Sequence, residues 1–169
     1  MFNVLSLNIN GIRKGYKRRW VKNLTKDLRI KVLCIQETKC DLLNQWSINS
    51  IGGKILSKWA HVAAVGNSGG IVTLWDPNSF LVQSTMENRY FLVVSGILKS
   101  TNTQFSVINV YAPQDENLKQ ELWSQITDCI TGDVNRVWMI CGDFNEVRCP
   151  DERKGSVFSA TRTHGIFKN

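Results

Sequence analysis

Six strand-length apolar runs constrain this chain more than anything else in it: FNVLSLNI (2–9), KVLCIQ (31–36), GIVTLW (70–75), YFLVVSGIL (90–98), QFSVINVYA (104–112) and RVWMICGDF (136–144). Each is rich in Val, Ile or aromatic residues and is bounded by Gly, Asn, Asp or Pro, the pattern of a β-strand between turns. Two stretches break the pattern with helical spacing. Trp20, Leu24 and Leu28 recur every four residues in KRRWVKNLTKDLRI (17–30), which places Trp20 toward the core. Leu118, Leu122, Ile126 and Ile130 do the same in ENLKQELWSQITDCITG (116–132), with Asp115 as its N-cap and Gly132 as its C-terminal stop. The order of elements is that of a mixed sheet, or a pair of sheets, covered by helices. The uninterrupted apolar stretches VLCI (32–35) and VWMIC (137–141) read as central strands covered on both faces.

At 169 residues, with no repeat, linker or low-complexity tract, the chain fits one domain able to bury a core without metal or disulfide staples. The formal charge of +7 favours a polyanionic partner, nucleic acid or an anionic surface. Five cysteines (Cys34, Cys40, Cys129, Cys141, Cys149) form no CxxC pair and no even framework, as in a reduced intracellular protein. The N-terminus is too short and polar for a secretory signal, and no run reaches the ~20 apolar residues of a membrane helix. The expected location is intracellular, nuclear or cytoplasmic, with no membrane partner.

Polar residues stand where the apolar strands finish. Asn8 and Asn10 end the first, Gln36 and Glu37 the second, Asn109 and Tyr111 the fifth, and Asp143 and Asn145 follow the sixth. Singly, each has a plain structural explanation as a turn cap or a solvated loop charge. Together they match the way sites gather at strand ends, where rigid backbone aims several side chains at one point.

The ordered set LNINGI (7–12), CIQETK (34–39), SGGIVTLW (68–75), NVYAP (109–113) and GDFNEV (142–147) resembles the exonuclease–endonuclease–phosphatase superfamily. Its abasic-endonuclease-like branch, in particular the endonuclease domain of plant LINE-type retrotransposons, is the nearest in look. The likeness runs from about Asn3 to Gly155. It implies an α/β, DNase-like four-layer sandwich of two mixed β-sheets flanked by helices, here lacking its C-terminal strands, and residues 1–169 as one domain incomplete at its C-terminus.

Phosphodiester hydrolysis requires cationic charge, an aimed water and hydrogen bonds to the phosphoryl oxygens. The resemblance makes Glu37 the principal ligand of Mg²⁺ (Mn²⁺ as a substitute), a hard ion that takes one or two carboxylates and keeps its waters. It places Asn8 in the same metal shell, Asp143 as the residue that positions and deprotonates the attacking water, and Asn145 and Tyr111 as donors to the water or phosphate. Asn10 stands where the abasic-endonuclease pattern often has an acid. Gly69 and Gly70 read as a point of close backbone approach, since the run lacks a phosphate-loop form.

The stretch RKGYKRRW (13–20) has five cations in eight residues: Arg13, Lys14, Lys17, Arg18 and Arg19. Such charges oppose the helix macrodipole, so they are not there for helix stability. They read either as a solvated helix start or as contacts to a DNA backbone beside the site.

The superfamily's C-terminal Ser-Asp-His motif is not in the sequence. His164 has no adjacent Asp, and His61 matches no catalytic motif. The expectation is a domain cut within its last third, weak or inactive as an enzyme. An open sheet edge would leave it less stable as a monomer and prone to self-association. Two other readings stand beside the DNA endonuclease: a non-catalytic nucleic-acid-binding remnant, and a phosphatase of small or lipid phosphates.

Overall fold

A computed structural model describes residues 1–66 and 68–146. Its elements are β1 (Asn3–Asn8), α1 (Gly15–Asp27), β2 (Ile30–Gln36), α2 (Gln45–Gly52), β3 (Lys58–Val65), β4 (Ser68–Trp75), β5 (Phe80–Glu87), β6 (Phe91–Leu98), β7 (Thr103–Tyr111), α3 (Glu116–Thr131) and β8 (Val137–Asp143). They form two four-stranded sheets, ordered β1-β2-β4-β3 and β5-β6-β7-β8. The pairs β1/β2 and β7/β8 are parallel, joined through α1 and α3, and the other pairings are antiparallel.

Strand periodicity builds the layers. On β2, Leu33 and Ile35 pack with Val21, Ile48 and Ile51 of the helices, while Val32 and Cys34 face the other sheet. On β7, Phe105 and Val107 enter that same inter-sheet core, and Ile108 and Val110 pack under Leu122 and Ile126 of α3. The stack is therefore α1/α2, first sheet, second sheet, α3, the four-layer α/β sandwich expected. Phe2, Phe80 and Phe105 meet edge-on at 5.5–6.2 Å in the centre.

Two expectations change. Among the described residues VWMIC is an edge strand: β8 pairs with β7 alone there, and Val137, Met139 and Ile140 are 52%, 38% and 39% exposed. An apolar run fixes neither the strand's place in the sheet nor what covers it. Trp20 is 54% exposed, because α1 buries Val21 and Thr25, a face about 100° round the helix from the Trp20–Leu24–Leu28 stripe. Gly132 does end α3, but with φ −68°, without a left-handed cap; Asp115 caps the start by accepting from the Leu118 N–H at 3.0 Å. His164, Cys149 and the stretch 147–155 lie outside the described residues.

Candidate active site

The two parallel strand pairs bring their C-terminal ends together across the sheet interface. In register, Asn8 stands beside Gln36 in the first sheet and Tyr111 beside Asp143 in the second. Side-chain bonds then cross between the sheets. Gln36 donates to Asn109 Oδ1 at 2.6 Å, Asn8 donates to Asp143 Oδ2 at 2.5 Å, and the Tyr111 hydroxyl donates to Glu37 Oε1 at 2.5 Å. Alternation explains most of this, since Ser6 and Asn8, Cys34 and Gln36, and Cys141 and Asp143 continue the inward-facing rows of their strands.

Beneath the site lies a satisfied polar layer. Gln36 and Asn109 are 1% and 0% exposed. Gln36 also donates to Ser6 Oγ at 3.0 Å, and the Asn109 amide donates to Val72 O at 3.0 Å and Thr73 Oγ1 at 3.1 Å. Buried polar groups with every partner in place fix one relative position of the sheets.

Glu37 does not follow from alternation. Residues 32, 34 and 36 face the other sheet, so residue 37 would point toward the helices if the strand ran on. Its φ of +53° turns the chain instead, and its carboxylate meets Tyr111. A left-handed glutamate is strained by about 1 kcal/mol. Backbone bonds on both sides impose it: Gly11 N–H donates to Glu37 O at 2.7 Å, Ile12 N–H to Thr38 O at 3.0 Å, and Thr38 and Lys39 N–H to Gly70 O and Gly69 O at 3.0 Å each. Gly70 supplies the close approach, with φ +83° and no room for a Cβ against Thr38 Oγ1. Of the six non-glycine residues with positive φ among those described, Asn10, Glu37, Lys39 and Asn145 all lie in these site loops.

The electrostatics are mixed in sign. Lys39 donates to Asn10 Oδ1 at 2.5 Å and stands 3.9 Å from Glu37 Oε2. Burial, then the bond to Glu37, then the charges of Glu37 and Asp143 push the Tyr111 phenol well above its usual range, so it is a neutral hydroxyl donor. Asp143 is held by Asn8 on one oxygen and by the Asn145 N–H at 2.9 Å on the other. The Asn145 side chain donates to Ala112 O at 2.6 Å.

All five residues expected at the centre thus meet. Among the expected DNA contacts, Lys17 is engaged within the fold: its ammonium donates to Ile9 O and Asn10 O, both at 2.7 Å, and ties α1 to the Asn8 loop. Arg13 pairs with Asp41 at 3.7 Å on the surface. His61 sits on β3, opposite Val72 and away from these loops. Sequence reading missed Lys119, an α3 residue 5% exposed, whose ammonium donates to Glu146 Oε1 at 2.7 Å and Asn145 O at 3.2 Å. Its only signal was a lysine in the buried row of an amphipathic helix, one turn before Leu122. No cluster of three or more His, Cys, Asp or Glu occurs among the described residues.

No family model matches the chain. Its backbone resembles the APE2 catalytic domain of Xenopus laevis (19% identity, TM-score 0.63, covering 87% of this chain and 59% of that one). It is also similar to an AP endonuclease from Archaeoglobus fulgidus (18% identity, TM-score 0.61, covering 89% and 60%). A truncated Caenorhabditis elegans TDP2 shares 13% identity with it at a TM-score of 0.60, covering 86% and 62%. The shared feature is the DNase-like fold of two packed sheets, and the chain spans about three-fifths of the length of these structures.

Proposed function

We propose that residues 1–169 belong to a divalent-metal-dependent phosphodiesterase domain that cleaves DNA, of the abasic-endonuclease-like type and of LINE-retrotransposon lineage. One observation carries the reading: Asn8, Glu37, Tyr111, Asp143 and Asn145, from four separate motifs, converge at one end of the sheet interface. The likeness to an AP endonuclease and the charge of +7 support DNA as the polyanion.

The donor set fits a hard cation. Glu37 offers a carboxylate and Asn8 an amide oxygen, the oxygen-only chemistry Mg²⁺ takes with its own waters. Glu37 would hold the ion with Asn8 beside it; when bound, it supplies positive charge against the phosphate and its leaving oxygen. The chain's own groups do the rest. Asp143, its two oxygens fixed by Asn8 and the Asn145 N–H, is oriented to accept a proton from an attacking water. Tyr111, kept protonated, gives its hydroxyl to a phosphoryl oxygen once phosphate competes for it. Asn145, anchored on Ala112 O, presents its remaining amide atoms to water or phosphate.

The test is nicking of supercoiled plasmid with Mg²⁺. Weak nicking by the wild type that Glu37→Gln abolishes is the expected result. Cleavage undiminished in Glu37→Gln refutes the assignment. Salt-sensitive binding without nicking supports the binding-only reading.

A further inference from the structure

Beside the candidate site loops, α1 and the two residues before it carry cations that the fold leaves largely without acidic partners, and the start of α2 sets an open indole beside them. Of Arg13, Lys14, Lys17, Arg18, Arg19 and Lys22, Arg13 alone reaches a carboxylate among the described residues, the exposed Asp41. The first turn of α1 has no acidic residue, so these charges work against the helix dipole. Arg18 lays its guanidinium 4.9 Å from the ring centre of Trp46, in the first turn of α2, and Trp46 is 65% exposed. The pair is a preformed cation–π stack with much of the indole open to solvent. Lys17 joins α1 to the loop that carries Asn8, so this surface is fixed relative to the site.

Resting on the nucleic-acid reading above, we propose that the Arg18–Trp46 stack is a base-stacking platform for single-stranded nucleic acid running past the phosphodiesterase centre. Cations without acidic partners match a phosphate chain. An open indole beside them matches an unpaired base, which offers a free π-face, whereas bases inside a duplex already stack on each other. An acidic peptide would satisfy the cations and leave the indole unused.

The experiment measures binding by anisotropy of labelled oligonucleotides of about 12 nucleotides, oligo-dT, oligo-rU and a matched duplex, in EDTA so that cleavage plays no part. Trp46→Ala should weaken single-strand binding about tenfold and leave duplex binding within about twofold, as expected for one stacked base. Trp46→Phe should recover most of the loss. Trp20→Ala is the control: Trp20 is also exposed but lies two residues from Arg18, on the opposite side of α1, and its loss should change neither affinity. Equal losses on single strand and duplex, no loss for Trp46→Ala, an equal loss for Trp20→Ala, or no single-strand binding by the wild type would each overturn the platform. Equal affinity for dT and rU assigns it to both nucleic acids, and a preference assigns it to one. Nicking by a protein that fails here, or single-strand binding by one that never nicks, separates this proposal from the catalytic one.

Discussion

Lys119→Met removes the cation that ties α3 to the loop after Asp143 while keeping the length of the side chain. The Lys119 side chain is 6% exposed and donates at 2.7 Å to Glu146, itself 23% exposed, so that bond is charge-assisted and poorly screened. Such a bond contributes about 1.5–3 kcal/mol. The second pair, to Glu116 at 3.2 Å, involves a carboxylate 61% exposed and adds well under about 1 kcal/mol. A loss of about 2 kcal/mol is expected, which for a domain of this size lowers Tm by about 4–8 °C. A double-mutant cycle by urea unfolding locates it. Coupling of Lys119→Met with Glu146→Gln should exceed about 1 kcal/mol, and coupling with Glu116→Gln should stay below about 0.5 kcal/mol. Hydrogen exchange gives the local readout, because the Asn145 N–H donates to Asp143 Oδ1 and should exchange faster once the loop is released. Equal couplings to the two glutamates, or unchanged Asn145 exchange, would refute the reasoning.

Asn109→Ala deletes the hub of the buried layer, leaves Gln36 and Thr73 short of partners, and should cost about 3 kcal/mol in urea unfolding. Gly142→Ala should cost about 3 kcal/mol or more, since its Cβ would stand 2.0 Å from Val110 O at φ +144°; Gly70→Ala, against a threonine hydroxyl, should cost less, and the reverse order in thermal melts would contradict the packing argument. Burial alone would raise the Asp76 carboxyl, but Lys31 at 2.8 Å, Ser79 and the Asn78 N–H hold it below its usual value. Its folded pKa being depressed, the stability it contributes is present above about pH 4 and is lost as pH falls through the lower folded value. Asp76→Asn should flatten that acid limb in urea melts taken between about pH 2 and 6.

The strands that span a core were legible because burial writes itself into apolar runs, as at Val32, Leu33, Cys34 and Ile35, all 0% exposed. Elements with little to bury left less trace. Strand β5, FLVQSTME, covers one end of its sheet and buries only Phe80, so neither alternation nor a continuous run marks it. Helix α2, QWSINSIG, has two turns and few apolar contacts beyond Ile48 and Ile51, and its Ser and Asn residues read as loop formers until Asn44 is seen capping Ser47 N–H. The exposed Val137, Met139 and Ile140 of β8 show the opposite error, apolar residues read as buried where the described fold leaves them open.

The site was more legible than the fold around it, and the reason is geometric. Polar residues at the ends of apolar strands are placed by the same alternation that builds the core, so strand ends and motif order were enough to single out Asn8 and Asp143 as site candidates, though not the bond between them. What no periodicity carries is backbone handedness. Glu37 reaches Tyr111 because φ +53° reverses the alternation at one residue, and that torsion is set by partners about 30 residues away in both directions, Gly11 on one side and Gly69 and Gly70 on the other. Lys119 was hidden for a related reason, since its role depends on a loop 26 residues later folding back over α3. The candidate site residues stand in local motifs, while the supports that hold them at the sheet interface lie in distant segments that only the folded chain brings together.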